Sequence, residues 1–172
     1  MQLTKILCLD IDGTVRRSKS GKTFIEGPDD IEIIPGMKER IWKYKNEGWA
    51  VIGISNQAGV AHGFRTFDQV LDEMVRTMKL TSNEDDEDPF TTIHLCPMDE
   101  KGSVPPYNAR SLCRKPGTGL LAQAEYNLST KKMIADWDNS LFVGDRPEDQ
   151  ECAKRAGIPF MWAHDFVLQP IT

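Results

Sequence analysis

Asp10 and Asp12 stand two residues apart with Gly13 directly after them, at the end of a short, mostly apolar run over residues 5–9. Two carboxylates at that spacing, where a strand ends, can be directed into one small volume, and the glycine frees the backbone to turn sharply after them. They repel one another unless a cation lies between them. Asp145, at the end of a second apolar run over residues 141–143, supplies a third carboxylate. Three hard oxygen ligands with room for water suit Mg²⁺ better than zinc. Asp149, four residues on along the same helix face, can support such a site without holding the ion itself. A carboxylate nucleophile beside Mg²⁺ and facing a phosphorylated substrate is a route to an aspartyl-phosphate. That chemistry needs positive charge and hydrogen-bond donors on the transferring oxygens. Lys115 is the candidate for the charge, and the Ser55 hydroxyl with the Asn56 backbone N–H for the donors. A calcium loop starting at Asp10 fails, because loop position twelve, where a Glu is needed, is Gly21.

These residues need elements to carry them. Residues 5–9, 49–54, 91–95, 141–143 and 158–162 read as strands. Helices are expected from Pro35-Gly36 to Asn46 with Gly48 as the stop, and from a Thr66 cap through Phe67, Val70, Leu71, Met74, Val75 and Met78. Two more are expected over 119–128 and over 147–156, the latter opened by Pro147 and stopped by Gly157. Residues 96–116, rich in Pro, Gly and Asn, show no period. Strands alternating with helices predict an α/β, three-layer, Rossmann-like parallel sheet of about five or six strands, with helices on both faces. Ligands of such sheets bind beyond the carboxyl ends of the strands. Asp10, Ser55 and Asp145 each end one.

Asp10-Ile11-Asp12-Gly13-Thr14, Ser55-Asn56-Gln57, Arg114-Lys115-Pro116 and Gly144-Asp145-Arg146-Pro147-Glu148-Asp149 resemble the four ordered motifs of haloacid dehalogenase superfamily phosphatases. The likeness runs from about residue 5 to residue 163. The stretch from Ser55 to Gly63 and Cys113-Arg114-Lys115-Pro116 further resemble the branch of heptose-bisphosphate and histidinol-phosphate phosphatases, related to polynucleotide 3′-phosphatases. The resemblance implies that Asp10 attacks phosphorus. Asp12 would act as general acid on the leaving oxygen and then as general base on water. It also implies that Mg²⁺ is held by Asp10, the Asp12 backbone carbonyl and Asp145, that Ser55 and Lys115 bind the transferring group, and that Arg114 reaches toward the substrate. His62 stands where that branch usually has an arginine, and an imidazole holds a second anion less firmly than a guanidinium fork. The branch often carries a zinc loop of pattern Cys-x-His then Cys-x-Cys. Here Cys96 and Cys113 keep the outer positions while Met98 and Ser111 replace the others. Even with His94 the set falls short of a closed four-coordinate site, so two reduced thiols are expected in place of bound zinc.

At 172 residues the chain is sized for one domain, 1–172, with no insertion long enough for a separate cap. Loops over 16–27 and 96–105 are expected to cover the site. The net charge of −5 repels polyanions at long range. No apolar run approaches membrane-spanning length and no signal segment is recognised, so a cytoplasmic protein is expected, as a monomer or small homo-oligomer. The reading that follows is a Mg²⁺-dependent phosphatase acting on a small phosphorylated metabolite, a sugar phosphate or a histidinol-phosphate-like ester. The basic run Arg16, Arg17, Lys19, Lys22 motivates an alternative, a 3′-phosphatase on nucleic-acid ends. A phosphate-binding regulatory module without activity is a third reading, against which stand the intact Asp10, Asp12 and Asp145.

Overall fold

Four apolar strands flank the run that ends at Asp10. In the computed structural model, which describes residues 1–170, β2 (Ile6–Leu9) is the middle strand of a five-stranded parallel sheet. With β5 (Ala50–Asn56), β6 (Phe90–Cys96), β8 (Leu141–Gly144) and β9 (Phe160–Trp162), the order is β6-β5-β2-β8-β9. The chain builds outward from β2 through β5 to β6, then returns to the other side of β2 for β8 and β9. The reversal of strand order therefore falls at β2, and the carboxyl ends of β5, β2 and β8 meet there. Outside the sheet, β1 (Gln2–Thr4) pairs in parallel with β7 (Met133–Ala135), and β3 (Arg16–Ser18) pairs antiparallel with β4 (Ile31–Ile33).

Alternation along the strands divides the core into two faces. Ile6 and Cys8, with Ile52, Ile54 and Phe142, pack against Leu120, Leu121, Ala124 and Leu128 of α3 (Gly119–Thr130) and Cys152 and Ala153 of α4 (Pro147–Ala156). Leu7 and Leu9, with Val51 and Val143, pack against Met37 and Ile41 of α1 (Met37–Asn46), Met74 of α2 (Phe67–Thr81) and Phe166 of α5 (Ala163–Leu168). Both faces of the sheet are covered, which is why its strands read as near-continuous apolar runs.

Two helices show how local chemistry sets the boundaries. Thr66 Oγ1 accepts the Gln69 N–H at 3.1 Å while Gln69 Oε1 accepts the Thr66 N–H at 2.9 Å, a reciprocal cap that starts α2. α4 starts with Pro147 in its first turn and stops at Gly157, whose φ of 71° suits glycine. The buried face of α2 differs from its apolar stripe. Val70, Glu73, Met74, Thr77 and Thr81 are inside, whereas Leu71 and Val75 are 42% and 51% exposed. That face meets the buried guanidinium of Arg16, which donates to Glu73 O at 3.0 Å and Thr77 Oγ1 at 2.8 Å. β1, β7, the β3–β4 pair and α5, all of six residues or fewer, are elements the sequence pattern does not predict. Part of the segment expected as a covering loop is thus the strand β3.

Candidate active site

Asp10 directly follows β2, and its N–H is taken by Val143 O at 3.0 Å, so the ladder to β8 continues into the site. The carboxylate is almost fully buried. Thr14 Oγ1 donates to Asp10 Oδ2 at 3.2 Å, and Lys115 Nζ donates to Asp10 Oδ1 at 2.6 Å and to Ile54 O at 3.1 Å. Asp149 Oδ1 makes an ion pair with the same ammonium at 2.7 Å. Lys115 reaches this point from the aperiodic 96–116 segment because Asn56 clamps its backbone. Lys115 N–H donates to Asn56 Oδ1 at 3.0 Å, and Asn56 Nδ2 donates to Lys115 O at 3.1 Å. The Asn56 side chain is therefore a fastener for the lysine loop. Cys96 O takes the Gln57 N–H at 2.7 Å on the β6 side, so strand alternation turns the Asn56 N–H toward β2.

Asp145 directly follows β8 and is exposed at the mouth of the site. Two glycines make room for the acids. A Cβ on Gly13, whose φ is +86°, would overlap the Asp145 carboxylate, and a Cβ on Gly144 would overlap Asp149. Asp149 Oδ2 accepts the N–H groups of Asp145 at 3.2 Å and Arg146 at 3.1 Å, capping α4 and fixing the turn that presents Asp145.

Oxygens of Asp10, Asp145 and Asp149 lie within 4.8 Å of one another, the one such group of three or more His, Cys, Asp or Glu side chains among the described residues. Burial raises the Asp10 carboxyl to about 8, Lys115 opposing and Asp149 adding to the rise. Partial burial also raises Asp145. For Lys115, burial alone would lower the ammonium, but Asp10 and Asp149 outweigh it and push it above its ordinary value. One ammonium against three carboxyls leaves the cluster short of positive charge, with hard oxygen donors only, one of them open to solvent. That donor set fits Mg²⁺.

Asp12 faces the site from a different direction. Its Oδ1 accepts Arg16 Nε at 2.8 Å and its Oδ2 accepts Gln57 Nε2 at 2.6 Å, so the carboxylate lies outside the three-acid group. Gln57 Nε2 also donates to the buried Ser55 Oγ at 2.8 Å, tying Ser55 to Asp12. Arg114 sits apart from these residues. Its Nη2 is 3.4 Å from Asp99 Oδ2, and its Nη1 donates to Met98 O at 3.4 Å. His62 Nε2 shares the same Asp99 oxygen at 3.1 Å. The site thus gathers Asp10, Asp145, Asp149 and Lys115, with Asp12, Ser55 and Gln57 linked beside them.

Sequence reasoning gave no role to Gln57, Thr14, Arg16 or Glu73. Gln57 is visible as part of Ser55-Asn56-Gln57, whereas Arg16 stands in the sequence as one cation of the basic run that motivates the nucleic-acid alternative. In the structure that run is not a free positive patch. Arg16 is 1% exposed, Arg17 pairs with Glu32 at 2.6 Å, Lys22 pairs with Glu26 at 2.6 Å, and Lys19 Nζ donates to Asp29 O at 3.0 Å. All four cysteines are free thiols. Cys96 is buried, Cys113 Sγ accepts from Gln123 Nε2 at 3.2 Å, and His94 Nε2 is 3.1 Å from Thr92 Oγ1. Cys96, Cys113 and His94 form no group of three ligands among the described residues. No helix among the described residues is long and apolar enough to cross a membrane.

The chain is 31% identical to D-glycero-beta-D-manno-heptose-1,7-bisphosphate 7-phosphatase of Yersinia pestis, over 91% of this chain and 78% of that one. The enzyme of the same name from Escherichia coli is 30% identical, over 87% and 73%. The D,D-heptose 1,7-bisphosphate phosphatase of B. bronchiseptica, solved with magnesium and phosphate, superposes with a TM-score of 0.70 at 23% identity, covering 91% of this chain and 79% of that one. The family model for polynucleotide kinase 3 phosphatase matches residues 5–164. That span contains all four motifs and every strand of the central sheet, so the chain belongs to the polynucleotide kinase 3 phosphatase family and is a phosphatase of the haloacid dehalogenase superfamily.

Proposed function

We propose that the protein is a Mg²⁺-dependent phosphomonoester hydrolase that passes the phosphoryl group of a sugar phosphate, or a similarly small phosphorylated metabolite, through Asp10. The observation that carries this reading is the Lys115 ammonium held between Asp10 at 2.6 Å and Asp149 at 2.7 Å, with Asp145 open beside them. In the first step an Asp10 oxygen forms a bond to phosphorus as the bond to the leaving oxygen breaks, and Asp12 gives that oxygen a proton. In the second, water attacks phosphorus, Asp12 takes its proton, and the bond to Asp10 breaks to release phosphate. Lys115, Ser55 Oγ and the Asn56 N–H would hold the non-bridging oxygens. Asp10 and Asp145, with the Asp12 carbonyl, would hold Mg²⁺, and Asp149 would orient Lys115 and the Asp145 turn. The bound ion supplies charge neutralisation that lets an anionic carboxylate approach an anionic phosphoester.

Named activities of the relatives from Yersinia pestis and Escherichia coli support a sugar phosphate. The net charge of −5 and the internally paired basic run argue against a polyanionic substrate. Phosphate release is the test, measured over a panel of sugar phosphates, histidinol phosphate and a 3′-phosphorylated oligonucleotide. With Mg²⁺ the sugar phosphates should be hydrolysed fastest, and Asp10→Asn should remove turnover while leaving the melting curve cooperative. Faster, steeply salt-sensitive turnover of the oligonucleotide would replace this reading with the nucleic-acid one. Inertness toward the whole panel would favour the module without activity.

A further inference from the structure

Arg16 is the bulkiest fully buried side chain among the described residues. A buried guanidinium is costly unless its donors are met, and each nitrogen of this one has a defined direction. Nε donates to Asp12 Oδ1 at 2.8 Å. Nη1 donates to Glu73 O at 3.0 Å and to Thr77 Oγ1 at 2.8 Å, and Nη2 lies 3.8 Å from Glu73 Oε2. Glu73, itself 2% exposed, pairs through Oε1 with Arg65 Nη1 at 2.9 Å. The chain of charges runs from the site through β3 into the inner face of α2 and ends at Arg65.

Well-packed apolar residues at Arg16 and Glu73 would serve stability as well as an ionic network does, often better. What they could not do is aim Asp12. With Gln57 Nε2 on its other oxygen at 2.6 Å, the Asp12 carboxylate is gripped from both sides. The Arg16 side of that grip is anchored in a helix that carries none of the four motifs.

We infer that Arg16, braced by Glu73 and Thr77 of α2, is a positioning residue that fixes the rotamer from which Asp12 exchanges a proton with the leaving oxygen. This rests on the reading of Asp12 as proton donor. Arg16 touches no reacting atom in this account; its effect passes through Asp12.

The test compares kcat/KM with Mg²⁺ for a sugar phosphate, whose alkoxide needs a proton to leave, and for p-nitrophenyl phosphate, whose phenolate does not. Asp12→Asn should lower the ratio of the two constants, because only the sugar ester loses an essential proton. Arg16→Lys keeps the buried charge but lacks the fork that spans Asp12 and α2. It should lower the same ratio by about tenfold or more, since a proton donor moved off line loses much of its effect. The paired exchange Arg16→Met with Glu73→Met should do likewise while keeping a cooperative melt. A merely structural role would lower both constants together and leave the ratio alone. If Asp12→Asn shifts the ratio and Arg16→Lys does not, the inference falls and the proposed mechanism stands. If Asp12→Asn leaves the ratio unchanged, Asp12 is not the proton donor and both fall.

Discussion

Lys115 and Asp10 illustrate what single residues reveal. Both were legible from type, order and position relative to predicted strand ends, because a carboxylate and an ammonium placed at a strand-end crevice have few structural uses. Arg16 was not legible. Next to Arg17, Lys19 and Lys22 it looks solvated, and only the tertiary fold turns its side chain inward against Glu73 and Thr77. Asp149 was legible as a support, but its contact with Lys115 depends on a loop with no readable period. At this scale the clustered acids make a prediction. Burial keeps a proton on the Asp10 carboxyl up to about 8, with Lys115 opposing the rise and the charges of Asp149 and Asp145 adding to it. Since the folded value lies above the ordinary carboxyl value, the native state binds more protons than the unfolded chain between them. The metal-free protein should therefore lose stability as pH rises through that window. Mg²⁺ needs the ionised cluster, so its binding releases a proton, and titration calorimetry should show affinity rising roughly tenfold between about pH 6 and pH 7. Proton release is read from the buffer dependence of the heat. A pH-independent affinity without proton release would contradict the raised Asp10 carboxyl.

α2 shows what holds for elements. Its existence, its start at Thr66 and its approximate length were readable from helical spacing and a capping residue. Its orientation was not, because Leu71 and Val75 look like core positions while Glu73 and Thr77 do not. The polar positions of that face meet a partner remote in sequence, the Arg16 guanidinium. β3, β4 and α5 went unread for a simpler reason: three to six residues are too few for a period to appear. α4, bounded by proline and glycine, was read to the residue. Removal of the α2 cap in Thr66→Ala should cost about 1 kcal/mol of unfolding free energy, measured by urea denaturation, and Thr66→Ser should restore most of it. An unchanged midpoint would mean that tertiary packing alone sets the start of this helix.

The whole molecule places chemistry by topology. Because the strand order reverses at β2, three segments far apart in the chain deliver Asp10, the Ser55–Gln57 stretch and Asp145 to one crevice, and the aperiodic segment before α3 adds Lys115 across it. Alternating strands and helices made that arrangement readable in outline. The fastening of the lysine loop by Asn56 was not, since a side-chain to backbone clamp leaves no periodic trace. The net charge of −5 and the ion-paired β3–β4 region belong to the same picture: the ammonium at the carboxyl ends of the central strands is Lys115, and the carboxyls around it leave room for a divalent cation. The most direct measurement is chemical trapping during turnover. Mg²⁺-loaded enzyme hydrolysing a sugar phosphate is quenched with borohydride, which reduces an acyl phosphate to an alcohol, and then mapped by peptide mass spectrometry. Homoserine is expected in place of Asp10, with Asp12 unmodified. Substrate consumed with Asp10 intact, or the reduced residue found elsewhere, would contradict it.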